Sequence, residues 1–315
     1  ATIRRQRQMC IRDRDNIGEV ESDGVEIDVD MNMFKILPLS VDGLSWNSRI
    51  NFTKSESIVT KQEDEQILFG GGVDIGNVAI EGFPLGTIVG GRIERNDDGE
   101  YIVNAAGDYN SEFTIAIDDN GNEVPLGTEG SRQVNAILGN PEPDFVMNYI
   151  NSINYKNFTL GFHFQHVSGG DMYSSTIGVL LGRGNVRSDR RETFVLEGVN
   201  ADGSPNTIMI NNSQYYFTNI LNGPAELSVF DASVIRLQEV SFAYTFPQEF
   251  LDKTPFGELS LTFAGYNLWH DAYNTPEEVN FDPNVAGAGI GNARGIDYMN
   301  GPSTKRYGVS LKASF

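Results

Sequence analysis

The sequence predicts an all-β fold, an antiparallel transmembrane β-barrel, and three observations support this prediction. Segments with strand periodicity recur along the chain, whereas helical periodicity does not. The connections between these segments alternate between long and short, as the two ends of a membrane barrel do. The last strand continues to the final residue, which is aromatic.

Each predicted strand alternates apolar with polar residues, which is typical of a strand with two different faces. We count about eight strands. The clearest apolar sets are Val25, Ile27, Val29, Met31 and Met33; Trp46, Ile50 and Phe52; Phe145, Met147 and Tyr149; Phe158, Leu160, Phe162 and Phe164; Val240, Phe242, Tyr244 and Phe246; Leu259, Leu261 and Phe263; and Tyr307, Val309, Leu311, Ala313 and Phe315.

The connections alternate in length when they are followed backwards from Phe315. They are long at about 269–303, short at about 247–257, very long at about 169–228 and very short at Lys156–Asn157. Connections as long as the first and third are uncommon in compact domains unless they carry function. The alternation weakens before residue 140, where we expect a short connection near 38–43 and leave the topology of 61–84 open.

Periodicity alone leaves a second fold open, because the dry core of a β-sandwich would accept the same apolar residues. A secreted carbohydrate-binding or carbohydrate-active β-sandwich is therefore the alternative. The end of the chain favours the barrel. Tyr307, Val309, Leu311 and Phe315 resemble the terminal insertion signal of outer-membrane barrels, with the odd-numbered residues facing lipid and Lys312 facing the lumen.

Composition excludes several classes of function. The chain of 315 residues carries 43 acidic and 23 basic residues, a net charge of -20. Such a charge argues against a nucleic-acid partner, because phosphate binding requires clusters of Lys and Arg. It also argues against binding to an anionic cytoplasmic membrane face. No apolar run approaches the roughly 18 to 20 residues of a membrane-spanning helix.

The first residues differ from the rest of the chain. Residues 1–14 are basic, lack strand or helix periodicity and contain the only cysteine, Cys10. No apolar segment follows them, so they do not form a secretory signal. We expect residues 1–14 to be a non-native leader and residues 15–315 to be one barrel portion. A chain without cysteine beyond the leader suits an oxidising envelope compartment.

The residue types that carry catalysis or bind metals do not form a recognisable site. The acidic turns Asn96–Glu100 and Asp118–Glu123 lack the ligand spacing of a calcium loop and are typical of hairpin turns. His163 and His166 are expected on opposite strand faces, and His270 is expected in a loop. The glycines at 70–72 and 287–291 lack the features of a phosphate-binding loop. We predict no catalytic residue, no metal site and no cofactor.

Aromatic residues in the long connections are the best candidates for contact with a substrate or partner. These are Tyr215, Tyr216, Trp269 and Tyr273. Large amphipathic rings dominate recognition surfaces. The alternative is an aromatic girdle at the lipid boundary, which any membrane barrel requires. The two interpretations are balanced for Trp269, and the girdle is favoured for Tyr307.

Several segments resemble SusC/RagA-type TonB-linked outer-membrane transporters. The strongest are three segments in order: VIRLQEVSFAYTFPQEF, GELSLTFAGYNLW and GIDYMNGPSTKRYGVSLKASF. GNPEPDFVMNYINSINYKNFTLGFHFQHVSGGDMY is similar to an upstream family pattern, and NIGEVESDGVEIDV and EGFPLGTIVGG are similar to earlier segments. The resemblance covers nearly all of residues 16–315.

The resemblance implies a larger protein than this chain. Family members have an N-terminal extension, a plug and a barrel of about 22 strands, and 315 residues are too few for these parts. We therefore expect the C-terminal portion of such a barrel. A small closed barrel of eight strands is the alternative, and the unpaired strand edges that a fragment would expose predict aggregation when it is expressed alone.

The resemblance also implies a function. It is the TonB-dependent import of oligosaccharides or peptides across the Gram-negative outer membrane, with a SusD-type surface lipoprotein over the outer loops. The TonB complex would be contacted through the missing N-terminal part. Outer-membrane lipid is the remaining expected partner.

Overall fold

A computed structural model describes residues 18–37, 41–63, 66–71, 75–185, 193–276, 279–285 and 294–315. The predicted leader 1–14, Gly72 and the glycines at 287–291 lie outside these ranges. No helix within the described ranges is long and apolar enough to cross a membrane.

The described residues are mainly β-structure. The strands are Gly18–Asn32 (β1), Leu44–Gln62 (β2), Ile67–Gly71 (β3), Ile75–Ala79 (β4), Thr87–Gly90 (β5), Arg92–Ile93 (β6), Ser111–Glu112 (β7), Thr114–Ile117 (β8), Glu123–Val124 (β9), Arg132–Asn135 (β10), Ile137–Gly139 (β11), Phe145–Tyr155 (β12), Phe158–Ser168 (β13), Asp171–Ser174 (β14), Thr193–Val195 (β15), Met209–Asn211 (β16), Val229–Asp231 (β17), Val234–Thr245 (β18), Glu258–Asp271 (β19), Ile296–Asp297 (β20) and Arg306–Ser314 (β21).

The helices are short. The α-helices are Met33–Ile36 (α1), Ser175–Gly182 (α2), Asn212–Gln214 (α3) and Gln248–Leu251 (α4). A π-helical segment, Tyr215–Ile220, continues α3, and 3₁₀ turns occupy Ala225–Ser228 and Pro283–Val285. Met33 was predicted to end a strand and instead begins α1.

Seven long strands form one sheet in the order β1-β2-β12-β13-β18-β19-β21. Every neighbouring pair in this sheet is antiparallel. The seven strands correspond to the seven clear apolar sets predicted above, although Met33, Phe246 and Phe315 lie just beyond the strand ends. The described sheet therefore has one strand fewer than our count of about eight. The sheet is open among the described residues, with β1 and β21 at its two edges.

The alternation of long and short connections is confirmed and continues through the whole sheet. The short connections are 33–43, 156–157 and 246–257, and the long ones are 63–144, 169–233 and 272–305. Lys156 has φ 53°, the left-handed conformation that allows the tight turn predicted between β12 and β13. The stretch 61–84 proves to be the end of β2 followed by the β3–β4 hairpin and the turn before β5. All three long connections lie at the same end of the sheet, because antiparallel strands reverse direction at each connection.

Most fully buried apolar side chains lie in the three long connections, which we call the outer body. One cluster lies within 63–144 and contains Val78, Ile80, Val89, Ile115, Ile117, Val134 and Ala136. A second cluster joins 169–233 to 272–305 through Met172, Ile177 and Val279. The outer body therefore has its own dry core at one end of the sheet.

Candidate lipid-facing surface and outer aromatic cleft

The strand register places one apolar set after another on the same face of the seven-stranded sheet. From β21 to β18, Leu311 lies opposite Leu261, which lies opposite Tyr244. From β18 to β1, the next opposed residues are Phe158, Tyr155 and Leu44, and further along β2, Phe52 lies opposite Ile27. Successive strand residues point to opposite sides, so this apolar face is continuous over all seven strands.

The opposite face is polar, and we call it the polar face. It carries Ser310 and Lys312 on β21, Thr262 on β19, Gln165 on β13 and Asn148 on β12. Lys312 lies 3.6 Å from the Glu258 carboxylate. Further along the same face, Arg49 on β2 forms an ion pair with Asp28 on β1.

The apolar face lacks a cover among the residues that the structure describes. Tyr307 is 77% exposed, Leu311 66% and Phe315 90%. The β-sandwich alternative requires a second sheet against these residues, and the described strands provide none. The Phe315 ring packs against Phe256, which lies in a short connection, at 5.2 Å between ring centroids.

The apolar face includes a buried polar pair. Ser48 and Asn151 lie directly opposite each other on β2 and β12, and both are buried. The Trp46 indole N–H donates a hydrogen bond to Asn151 Oδ1 at 2.8 Å. This bond lets a large amphipathic ring lie on the apolar face with its one polar group satisfied.

Aromatic rings cluster at both ends of the apolar face. At the end with short connections, the ring centroids of Phe158 and Tyr244 lie 4.9 Å apart, and those of Tyr244 and Phe246 lie 5.1 Å apart. At the other end, the ring centroid of Phe145 lies 5.5 Å from that of Phe52 and 5.2 Å from that of His166. β12, which joins the two ends, has 11 residues and extends about 34 Å at a rise of about 3.4 Å per residue. At a tilt of about 40° it would span about 26 Å, close to the roughly 25 Å apolar band of outer-membrane barrels.

The structure corrects the predicted positions of Trp269 and His270, which were both expected in a loop. Both lie in β19, where Trp269 is opposite Leu237 on the apolar face and His270 is opposite Arg236 on the polar face. Tyr273 follows β19, and its hydroxyl lies 3.0 Å from His166 Nε2. Trp269 and Tyr273 therefore lie at the boundary of the apolar face.

The two acidic turns are hairpin turns, as predicted. Asn96 Oδ1 accepts hydrogen bonds from the backbone N–H groups of Asp98 and Glu100, at 3.1 and 2.9 Å. Asp118 Oδ1 accepts from Asn120 and Asn122 in the same way, at 2.9 and 2.8 Å. These oxygens stabilise the turns. Within the described ranges, no group of three or more potential metal-ligating side chains is present.

Ion pairs and buried polar groups connect the parts of the outer body. Arg95 lies 2.5 Å from the Glu226 carboxylate, which joins connection 63–144 to connection 169–233. Ser174 donates to Asp297 at 2.8 Å, which joins 169–233 to 272–305. Burial raises the pKa of the Asp171 carboxyl, and the charges of Asp231 and Asp144 raise it further. These contacts make the three long connections one packed unit.

The outer body also packs onto the polar face at the end of the sheet. Arg236 on β18 forms a buried ion pair of 3.2 Å with Asp282, which belongs to connection 272–305. A buried ion pair holds its two elements together firmly, because separating the charges leaves each without a partner. Connection 272–305 is thus fixed over the sheet rather than extended away from it.

Tyr215 and Tyr216 lie in the outer body, where they begin the π-helical segment. The Tyr215 ring packs edge-on against Phe194 with centroids 5.5 Å apart. Arg183 stacks over the Tyr216 ring at 4.4 Å and donates a hydrogen bond to its hydroxyl at 3.1 Å. Tyr216 is only 7% exposed. Tyr216 therefore supports the segment, whereas its neighbour Phe217 is exposed.

Two adjoining cavities border this segment, and we call them together the aromatic cleft. One has a volume of about 330 Å³ and is lined in part by Phe194, Glu197 and Tyr215. The other has a volume of about 450 Å³ and is lined in part by Arg183, Asn185 and Phe217. Asn212 lines both. Rings interspersed with amide and charged groups provide both stacking surfaces and hydrogen bonds.

Sequence reasoning missed Phe194, Glu197 and Asn212, because no local pattern marks them as residues that line a common cleft. Arg183 had no signal in its local sequence. The Tyr-Tyr-Phe run at 215–217 was the one recognisable feature of the cleft.

Comparisons with known proteins support the family resemblance. No family model matches the chain. The chain is 25% identical over 323 aligned positions to TonB-dependent receptor P3 of Formosa agariphila, covering 95% of the chain and 29% of that protein. It is 27% identical over 203 positions to TonB-dependent receptor P26 of the same organism, covering 63% of the chain and 19% of that protein. The chain thus spans less than a third of the length of either relative.

Solved structures give the same fold. The structure of the RagAB peptide transporter superimposes with a TM-score of 0.56 at 13% identity, covering 95% of this chain and 30% of that one. The RagAB peptide importer in its closed-closed state gives a TM-score of 0.54 at 14% identity. The antiparallel β-architecture is thus shared with part of these transporters. The recognition of a TonB-dependent transporter from the sequence motifs is confirmed as a similarity: the chain resembles part of curated TonB-dependent receptors and shares the fold of part of the RagAB structures.

Proposed function

We propose that this chain forms part of the transmembrane β-barrel of an outer-membrane, TonB-dependent transporter. The observation that carries the proposal is the continuous, uncovered apolar face of the seven-stranded sheet, with aromatic clusters at both ends. In water, such a face would be a large aggregation-prone surface. In a bilayer, hydrocarbon covers it, and the strand ladder satisfies the backbone polar groups.

The rest of the longer protein would supply the remaining strands, the plug and the TonB-contacting part. The greater length of the curated relatives supports a larger barrel. We further propose residues 15–315 as its C-terminal portion and residues 1–14 as a non-native leader. Tyr307, Val309, Leu311 and Phe315 would then act as the terminal insertion signal. No residue of the chain is proposed to be catalytic, and the relatives are described as receptors and transporters.

The proposed cargo is an oligosaccharide or a peptide, captured with a SusD-type surface lipoprotein over the outer body. Tyr215 would contact the cargo in the aromatic cleft, and Tyr216 would support it. For Trp269 and Tyr273, we favour the girdle over cargo contact, because both lie at the boundary of the apolar face.

Labelling along β13 tests the membrane proposal. Single cysteines replace Leu160, Phe162, Thr159 and His163, one at a time, in a cysteine-free full-length receptor in outer membranes. We expect a lipid-soluble spin probe to reach positions 160 and 162 and a water-soluble thiol reagent to reach 159 and 163. Protection of 160 and 162 from both reagents would indicate a dry protein core and overturn the proposal.

Binding measurements test the role of the cleft. We expect Tyr215→Ala in the full-length receptor with its lipoprotein to weaken binding of the transported oligosaccharide or peptide at least about 5-fold, roughly 1 kcal/mol, a cost that only a minority of interface residues exceed. Tyr244→Ala, in the aromatic cluster at the opposite end of the sheet, is the control and should leave the dissociation constant unchanged. Equal effects of both changes would exclude the cleft as the contact site.

A further inference from the structure

A buried carboxylate from a different connection holds the π-helical segment of the aromatic cleft. Asp108 ends a tight turn in connection 63–144 and is only 5% exposed. The turn is closed by hydrogen bonds from the backbone N–H of Asn104 to Asp108 O at 2.8 Å and from Gly107 to Asn104 O at 3.0 Å. Asp108 faces connection 169–233, more than 100 positions later in the chain.

The side chains of Gln214, just before the π-helical segment, and of Thr218 and Asn219 within it converge on this carboxylate. Asp108 Oδ1 lies 2.7 Å from Thr218 Oγ1 and accepts from Asn219 Nδ2 at 2.9 Å. Gln214 Nε2 lies 3.2 Å from Oδ1 and 3.1 Å from Oδ2, and it also donates to Ala106 O at 3.0 Å. Hydrogen bonds to an ionised acceptor are stronger than neutral ones.

The same contact is reinforced by the backbone beside Asp108. Asn219 is completely buried, and its Oδ1 accepts the backbone N–H of Tyr109 at 2.9 Å. Asn219 thus bonds to the turn through both ends of its amide. Burial raises the pKa of the neighbouring Tyr109 phenol to about 12, so Tyr109 stays neutral at this contact.

Gly107 allows the turn to pack closely against residues 208–210, which precede the π-helical segment. Its φ is +84°, and a Cβ at this position would lie 2.9 Å from Ile208 Cγ2. Any larger residue would therefore push the turn away from residues 208–210. The position of the Asp108 carboxylate depends on this approach.

The π-helical segment requires such external support, because a π-helix closes its backbone hydrogen bonds over five residues instead of the four of an α-helix. Leu221 N–H donates to Tyr216 O, five residues earlier, at 2.9 Å. The Gln214 carbonyl lies 2.7 Å from Thr218 Oγ1, and the Phe217 carbonyl accepts from Asn222 Nδ2 at 2.6 Å. A hydroxyl carries one proton, so Thr218 can donate to Asp108 or to Gln214 O but not to both. π-Helical turns are rare and occur frequently at functional sites.

We propose that Asp108 is a positioning residue for the aromatic cleft. It would fix Gln214, Thr218 and Asn219 in the π-helical geometry that orients Tyr215 and Phe217, without contacting the cargo. The part of this inference that concerns cargo rests on the proposed function of the cleft. The part that concerns the segment's geometry does not.

Hydrogen exchange without cargo tests the geometric part. In the full-length receptor, we expect Asp108→Ala to raise amide exchange across residues 214–221 at least about 10-fold, because the buried Asn219 amide loses its acceptor and Gln214 and Thr218 lose their contact with the turn. The control is Asp118→Ala, which removes a carboxylate that bonds only within its own turn. Unchanged protection of 214–221 in the Asp108 variant would overturn the proposal.

A second variant guards against general unfolding of the outer body. Combining Asp108→Asn with Gln214→Glu exchanges donor and acceptor between these two side chains but removes the Gln214 hydrogen bond to Ala106 O, so we expect it to recover part of the protection at 214–221. Exchange at Thr114–Ile117, in the separate core cluster of connection 63–144, should be unchanged in Asp108→Ala and in the exchange pair. Failure of the exchange pair to recover any protection would contradict the positioning role.

Cargo binding then separates this inference from the proposed function. We expect Asp108→Ala to weaken binding about 10-fold, with partial recovery in the exchange pair. If Tyr215→Ala weakens binding while Asp108→Ala does not, the positioning role fails and the cleft remains the binding site. If neither change affects binding although exchange at 214–221 rises, both the cargo part of the inference and the cleft assignment fail.

Discussion

The seven-stranded sheet and the outer body place similar apolar side chains in opposite surroundings. Ile117 in the outer body is 1% exposed and packs among other aliphatic residues. Phe263 in the middle of β19 is 51% exposed, and its neighbours on the apolar face are likewise uncovered. The apolar residues of the outer body therefore face one another, whereas those of the sheet face outward.

This difference shows how each region is stabilised. The outer body buries apolar area against itself, which is the usual source of stability in water. The sheet gains no such burial on its apolar face and depends on its strand ladder and on whatever covers that face. If hydrocarbon covers it, charges on this face and cavities in the outer body should have separate effects.

The largest effect should come from charges on the apolar face. Phe242 and Phe263 lie directly opposite each other on β18 and β19. Replacing both with Arg in the full-length receptor should cost up to about 2 to 4 kcal/mol for each charge, the value at the bilayer midplane, and less for a charge nearer to an interface. We expect loss of heat-modifiable receptor from the outer membrane, measured by gel mobility of the membrane fraction.

A matched pair on the polar face gives the control. Ala243 and Thr262 lie opposite each other one residue away, so Ala243→Arg with Thr262→Arg introduces the same like-charge contact. This pair should retain heat-modifiable receptor, because the polar face tolerates charge. Equal loss for both pairs would mean that the two faces do not differ in their surroundings.

An intermediate effect should come from a cavity in the outer body. Ile117→Ala removes a fully buried side chain, which typically costs about 2 to 5 kcal/mol. We expect faster hydrogen exchange and proteolysis across Thr114–Ile117 and Arg132–Asn135 with normal membrane assembly. Leu126→Ala, at an exposed position of the same connection, should have no such effect. A defect in barrel assembly would show that the two regions fold as one unit.

The smallest effect should come from pH. A hydrogen bond from Arg92 lowers the pKa of the Glu123 carboxyl below its ordinary value of 4.5. The carboxylate form is thus favoured in the folded state, so its contribution is complete above about pH 4.5 and is lost as the pH falls through the lowered pKa. Glu123 is half exposed, so we expect less than about 1 kcal/mol.

Exchange at Glu123–Val124, corrected for the intrinsic pH dependence, measures this contribution. Glu123→Gln should remove most of the pH dependence below about pH 4.5. The remainder should come from Asp118, whose pKa is lowered by the backbone N–H of Asn122 in the same hairpin. An unchanged pH profile in the Glu123 variant would show that the ion pair with Arg92 does not stabilise the hairpin.

Several parts of the fold could be predicted because they depend on local pattern. The period of two identified all seven strands of the main sheet, and Lys156–Asn157 identified the tightest turn. Trp269 and His270 were misplaced because a bulge near Asn267, with φ 51°, interrupts the regular alternation of β19. The strand continues beyond this bulge. The short strands of 63–144 could not be assigned, since their residues pack on several sides and lose the alternation.

The candidate site was less accessible to sequence reasoning. Tyr215 and Tyr216 were identified as aromatic residues of a long connection, but their different roles depend on Arg183, which covers only Tyr216. Asp108 gave no signal, because its partners lie in another connection. The contact between them exists only when the two connections pack together.

Local sequence patterns reveal which residues alternate, where the chain turns and which family it resembles, because these features depend on neighbours within a few positions. The tertiary structure decided that the seven apolar sets share one uncovered face and that Asp108 meets Asn219. Register and packing between distant segments set these relations, and no local pattern encodes them.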